Sequence, residues 1–243
     1  MRSAFAAAHA CLRTIKDLRA AANAERTLQE DGTVKESLFS IGHSNHELGD
    51  FLGLLGRAGI TALADVRSQP YSRRHPQYNR PDLEAVLAEA GIAYVFLGHS
   101  LGGRPEDPDL YDAEGRVDYE RVRKTDRFKQ GLEELLAVKG KKTVLFCLEE
   151  DPLDCHRGLM IAPALLEAGE ATCHLRGDGS RESMAQMEER LLAETRVGEG
   201  FLDGLFAEVI TAEERRELLA KAYRLQAKRK GFRRRAGEQE DIG

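Results

Sequence analysis

The stretch TVLFCLEEDPLDCHRGLMIAPALLEAGEATCHLR, residues 143–176, decides how the rest of the chain is read. Thr143–Cys147 is a run of β-branched, aromatic and aliphatic residues short enough to be a buried strand. It ends on a thiol. An acidic turn follows, from Leu148 to Asp154. Cys155-His156-Arg157 then opens an apolar helical pattern that runs towards Ala168, with Pro163 expected to kink it. Ala171–Leu175 is a second strand. A nucleophile, an acid/base group and a cation thus fall within eleven residues at a strand-to-helix junction. Open α/β sheets place their ligands at such junctions.

Outward from this unit the pattern repeats. Leu38–Gly42, Thr61–Val66 and Ile92–Leu97 read as further strands. A helix capped by Ser44 or Asn45 carries Leu48, Phe51, Leu52, Leu54 and Leu55 and stops at Gly56–Gly59. Pro81, in a first helical turn, starts another that Gly91 ends. Further helices are expected over about Thr125–Val138, Arg181–Ala193 and Ala212–Lys230. Asp65–Arg80 and Gly98–Val117 read as long polar loops. Strands alternating with helices predict a single-domain α/β fold, with a mainly parallel sheet of about five strands and helices on both faces. The expected boundaries are an N-terminal helical extension or linker over 1–35, the α/β domain over 36–210, and a C-terminal helix with a basic tail over 211–243.

Composition narrows the class. The chain has 243 residues, 42% of them hydrophobic and 32% charged, enough for a core and a well-solvated surface. No apolar run approaches the roughly 20 residues of a membrane span. Four cysteines without a framework spacing predict free thiols in a reducing compartment, and so a cytoplasmic protein. The net charge is −5, yet Lys221–Arg235 holds eight Lys or Arg and no acid. That tail is a candidate contact for nucleic acid on an otherwise acidic body.

Parallel strands joined by crossovers bring their C-terminal ends to one edge. That edge receives His43 and Ser44 after the first strand and Arg67, Ser72 and Arg73 after the second. Gly102, Gly103 and Arg104 follow the third, and Cys147, Glu149, Cys155, His156 and Arg157 follow the fourth. The convergence of Arg, His and Cys predicts a site for a small anionic ligand such as a nucleotide. Arg67, Arg73, Arg104 and Arg157 would clamp the anion, with Ser44, Ser72, Gly102 and Gly103 around it. His43 and His156 would exchange protons, and Glu149 would orient one of them. Cys155, at a helix start, has the setting that lowers a thiol pKa. Cys147 is a second candidate nucleophile, and equally a small core residue at the end of a buried strand. Glu149, Glu150, Asp151 and Asp154 would disfavour a thiolate, so some must point away or pair with arginines. Two other classes stay open: a non-catalytic nucleic-acid-binding protein using the tail, and a metal or redox protein built on Cys147, Cys155, His156, Cys173 and His174. The spacing of these residues matches no zinc-finger pattern, so no cofactor follows from the sequence.

With these residues in view, the chain resembles the domain-of-unknown-function family 488. The likeness rests on Ile41-Gly42-His43-Ser44-Asn45, Asp65-Val66-Arg67 with Pro70, Ser72 and Arg73, Leu101-Gly102-Gly103, and Cys147-x-Glu149 with Pro152, Cys155, His156 and Arg157. It extends over about Leu38 to Arg234, including AYRLQAKRKGFRR near the end. It implies a compact α/β fold with these motifs grouped, and no established activity; some members carry a DNA-repair label. A remoter similarity links Asp65-Val66-Arg67 and the Cys-loop-Arg-helix order to rhodanese domains. Their loop is shorter and Gly-rich, whereas here nine residues, four of them acidic, separate Cys147 from Arg157. That departure argues against sulfur transfer or phosphatase chemistry by Cys147.

Overall fold

The structure is a computed structural model, described here for residues 38–138, 142–198 and 211–234. The expectations for residues 1–35 lie outside these. Six strands form one sheet: β1 (Leu38–Gly42), β2 (Ala62–Asp65), β3 (Ala93–Phe96), β4 (Thr143–Cys147), β5 (Thr172–Leu175) and β6 (Arg181–Ser183). Their order is β3-β2-β4-β1-β5-β6. The first five are parallel, as the alternation predicts, and β6 pairs antiparallel with β5. The helices among the described residues are α1 (Leu48–Ala58), α2 (Arg80–Glu89), α3 (Gly98–Leu101), α4 (Tyr119–Lys124), α5 (Asp126–Ala137), α6 (Ala162–Glu167, entered through a π-turn over Arg157–Ile161), α7 (Met184–Thr195) and α8 (Ala212–Lys230).

Apolar residues on both sides of the central strands bury both faces of the sheet. Phe39, Ile41, Leu63, Val144 and Phe146 pack with Phe51, Leu54 and Leu55 of α1 and Leu83 and Leu87 of α2. Leu38, Ala64, Leu145 and Cys147 face the other layer, with Phe128 of α5, Leu165 of α6, Leu191 of α7 and Ala222 of α8. The chain leaves β1 towards β2 and leaves β4 towards β5, in opposite directions along the sheet. The β1–β4 boundary is therefore the switch point, where a crevice opens beyond the strand ends. Here the two exit loops run side by side: His43 N–H donates to the Cys147 carbonyl at 3.0 Å and Ser44 N–H to that of Leu148 at 2.8 Å. Gly42 is required, because a Cβ there would fall 1.6 Å from the Glu149 carbonyl oxygen.

Two local expectations change. Arg181–Ser183 is strand, not the start of a helix. Asp178-Gly179 makes a tight turn, with Gly179 at φ +87° and Arg176 N–H donating to the Ser180 carbonyl, and this folds the chain back on β5. The helix begins only after Ser183, whose side chain and that of Gln186 form a reciprocal capping box. Ser44 does not cap α1 either. It sits at φ 45°, and Glu47 occupies the cap position without a side-chain bond. Pro163 has no N–H and its ring crowds the carbonyl four residues back. The helix meets this by widening into the π-turn just before α6.

Candidate functional site

A cavity of about 340 Å³ opens at the switch point. Its floor comes from the end of β4 and the residues before the π-turn. His156 Nε2–H donates to the Val66 carbonyl at 2.9 Å. This fixes the ring and turns Nδ1 to two sulfurs, Cys155 Sγ at 3.7 Å and Cys147 Sγ at 3.8 Å. Gly103 lies against the same ring, where a Cβ would meet His156 Cγ at 2.7 Å. The Cys147 thiol donates to Glu149 Oε2 at 3.3 Å, and the Arg157 backbone N–H donates to Cys155 Sγ at 3.5 Å.

Charge divides unequally between the sulfurs. Burial pushes the Cys155 thiol up, but the neighbouring Cys147 thiol, the Arg157 guanidinium and His156 together hold it well below the ordinary thiol value. Cys147, beside Cys155 and itself buried, is pushed up. Burial disfavours a charged His156, yet the Cys155 sulfur beside it outweighs this and raises its pKa. Burial and then Cys155 raise Glu149. The floor thus sets a sulfur and an imidazole side by side, with the Cys155 thiol held low and His156 held high, and a second thiol and the Glu149 carboxyl flank them.

Arg67 forms one wall. Its Nε and Nη2 bond the Asp65 carboxylate, the shorter contact being 2.6 Å, and its guanidinium lies 4.6 Å from the Phe146 ring centre. Nη1 is left without a partner among the described residues. Arg104, exposed, lies over the Phe232 ring at 4.6 Å. His43 stacks on Tyr78 at 4.1 Å and its Nδ1 contacts the Ser44 carbonyl at 3.0 Å. Burial and then Arg67 lower its pKa to about 3, so it presents a neutral ring and is no proton donor at neutral pH. Ser72 reaches the cavity as well.

Arg157 corrects the sequence reading. It is fully buried and does not line the cavity. Its Nη1 and Nη2 donate to the Glu149 and Glu150 carbonyls at 2.6 and 2.7 Å, and Nε to Ser40 Oγ at 3.2 Å. It holds the acidic loop in place and sets a positive charge behind the thiols, and has no nitrogen left to clamp a ligand. Ser44 lines a separate cavity of about 460 Å³ with Glu150 and Arg176. Arg73 is exposed and does not line the cavity, and Gly102 packs against the Gly98 carbonyl. The acids of the loop sort as their charge demands. Asp151 pairs with Arg190 at 2.8 Å, Glu150 with Arg176 at 2.8 Å and Asp154 with Lys230 at 2.9 Å. Only Glu149 turns to the sulfurs.

Tyr119, Lys230 and Phe232 also line the cavity. Lys230 and Phe232 fall in the basic C-terminal run, which the sequence did not assign to the site, because that segment reaches it through a distant contact, Val117 N–H to the Phe232 carbonyl at 3.0 Å. Most cations of that segment serve the body: Arg224 pairs with Glu120, Arg229 donates to the Glu194 carbonyl and Arg233 to that of Glu114.

Behind the site, Arg157 Nε donates to Ser40 Oγ, whose hydroxyl then donates to His174 Nδ1 at 2.7 Å. His174 Nε2 is buried without a partner among the described residues. Burial, then Arg157, Arg176 and Arg190, depress its pKa to about 3. An unfolded histidine titrates near 6.5. The unfolded chain therefore binds more protons between about pH 6.5 and 3, and stability falls with pH across that window, by up to about 1.4 kcal/mol per unit for this residue. Urea midpoints should drop from pH 7 to pH 5, and His174→Asn should flatten the slope. An unaltered slope in that variant would show that His174 is not held neutral.

Residues 47–162 match the family described as "Domain of unknown function DUF488". Over these residues, just under half of the chain, the protein is similar to that family. The matched span holds Arg67, Gly103, Cys147, Glu149, Cys155 and His156, while His43 and the Lys230–Phe232 wall lie outside it. No curated protein matches the chain. Two crystal structures of a DUF442 protein from Shewanella putrefaciens CN-32, named there as a candidate phosphatase, were found by structural comparison. They are 17% and 18% identical, cover 85% and 81% of this chain and 95% and 88% of theirs, and have a TM-score of 0.31. No helix of the described residues is long and apolar enough to cross a membrane.

Proposed function

We propose that this protein is an enzyme acting on a small anionic substrate, one containing phosphate or a nucleotide. The observation that carries this is a single cavity with two arginines on its walls and the Cys147–Cys155–His156 cluster on its floor. Arg67, held by Asp65, offers Nη1 to the anion in a fixed direction, and Arg104 adds an exposed second cation. The floor supplies the chemistry. It has a sulfur that carries negative charge, an imidazole that holds the proton, and the Glu149 carboxyl as a further proton carrier. His43 contributes a neutral hydrogen-bonding edge. Local acids do not defeat anion binding, because Asp151, Glu150 and Asp154 are spent on Arg190, Arg176 and Lys230.

The test is a thermal-shift screen of phosphate, tungstate and a nucleotide panel on the wild type and on Arg104→Ala. The variant changes an exposed side chain, so its basal Tm should stay within about 1 °C, as for most surface substitutions. Anions should raise the wild-type Tm and lose most of that effect in the variant. A ligand profile identical in both proteins would sink the reading. The basic tail remains the alternative contact, for nucleic acid. It predicts retention on DNA or RNA at low salt that falls steeply as salt rises, and the pairing of its cations with the body argues for the cavity instead.

A further inference from the structure

The floor of the cavity is also built like the inner ligand sphere of a metal ion. The donor atoms of Cys147, Cys155 and His156 all lie within 4.8 Å of one another, and all three residues are buried. A tetrahedral zinc site has bonds of about 2.3 Å to sulfur and about 2.0 Å to nitrogen, so its sulfur–nitrogen edges are about 3.5 Å. The two found here are 3.7 and 3.8 Å. Two further features are what such a site needs around it. The ring nitrogen of His156 that faces away from the sulfurs donates to the Val66 carbonyl, the kind of contact that orients a ligating imidazole and leaves its other nitrogen free to bind. The Arg157 backbone N–H donates to Cys155 Sγ, as would suit a sulfur that carries charge permanently. The residues come from two places in the chain, the end of β4 and the residues before the π-turn, so their convergence is not an accident of sequence neighbourhood.

We infer that Cys147, Cys155 and His156 bind one thiophilic divalent cation, zinc or a close equivalent, with the fourth coordination position open to the cavity. Both cysteines bind as thiolates and His156 as the neutral imidazole through Nδ1; the displaced protons pass to solvent. Three protein ligands with an open position is the arrangement of catalytic rather than structural zinc. Glu149, with Oε2 3.3 Å from Cys147 Sγ, stands beside that position, and Arg67 and Arg104 flank the approach. The inference rests on the proposed function only for the role of the fourth position, which would receive an oxygen of the anionic substrate or a water; with the metal bound, Cys155 and His156 are ligands and Glu149 alone remains as proton carrier. Binding of the metal itself does not depend on that reading.

The experiment uses the full chain, reduced, stripped with a chelator and titrated with cobalt(II) chloride. One equivalent should give the intense visible bands of tetrahedral cobalt and a near-ultraviolet sulfur-to-cobalt band, both abolished by one equivalent of zinc. Cys155→Ser and His156→Asn should each weaken binding at least tenfold. Cys173→Ser should bind as the wild type does, because Cys173 faces the opposite layer of the sheet. Only the weak spectrum of octahedral cobalt, or unchanged affinity in Cys155→Ser, would overturn the inference. Should the variants fail to fold, iodoacetamide labelling of the wild type decides. Zinc should slow labelling of Cys147 and Cys155, and rates unaffected by zinc would overturn the site. The anion screen on metal-stripped protein reads the proposed function separately, so the two failures can be told apart.

Discussion

Replacing Arg157 by Met is expected to lower the free energy of unfolding by about 3–5 kcal/mol, a large part of the stability of a domain this size. The side chain is completely buried, and its three donating nitrogens reach the Glu149 carbonyl, the Glu150 carbonyl and Ser40 Oγ. Methionine fills much of the volume and supplies no donor. Two carbonyls and the Ser40–His174 relay then lose their partner, at about 1–3 kcal/mol for each group left unsatisfied. Arg157→Lys should recover little, because one ammonium on a flexible stem cannot reproduce a planar fork aimed at three acceptors. The loss of charge should also be visible at the site. Without the guanidinium behind it Cys155 should react with iodoacetamide only at higher pH. Denaturant unfolding checks the first effect and the pH profile of labelling the second. A loss below about 1 kcal/mol would mean Arg157 behaves as a surface residue.

Asp65→Ala should be as damaging. Asp65 is fully buried and accepts from Arg67 N, Nε and Nη2 and from the Tyr94 hydroxyl at 2.8 Å. Removing it strands a buried guanidinium, for which about 3–5 kcal/mol is expected. The double replacement Asp65→Ala with Arg67→Met discriminates between causes. Taking out both charges removes the stranded cation, so the double variant should be more stable than Asp65→Ala alone. If the two losses simply add, the pair is not coupled and Arg67 is held in place by the Phe146 ring. The double variant should also lose the anion response, since Arg67 is the fixed wall of the cavity.

The fold was largely legible because its signals are local. Short apolar runs such as Leu38–Gly42 and Thr143–Cys147 have few other uses, and Pro81, Gly59 and Gly91 punctuate the helices between them. The edge position of His43, Arg67, Gly103, Arg104, Cys147, Cys155 and His156 followed from topology, and the structure brings these residues around one cavity. What escaped depended on turn chemistry or on long-range packing. Asp178-Gly179 and Ser183-x-x-Gln186 were signals for β6 and the start of α7, masked by the helical pattern beyond them. Arg157 was misread because a charged side chain is expected in solvent unless its partners are known, and its partners are main-chain carbonyls that only the folded acidic loop supplies. Lys230 and Phe232 could not have been placed, because nothing near them in the chain shows that the end of α8 closes a wall beside Arg104.

The cavity over Cys155 and His156 should take an anion through Arg67. A crystal structure of the protein soaked in tungstate tests it most directly. One ordered tungstate is expected inside this cavity, within hydrogen-bonding distance of Arg67 Nη1 and above the Cys155–His156 floor. Tungstate bound only elsewhere, with the cavity filled by water at saturating concentration, would contradict it.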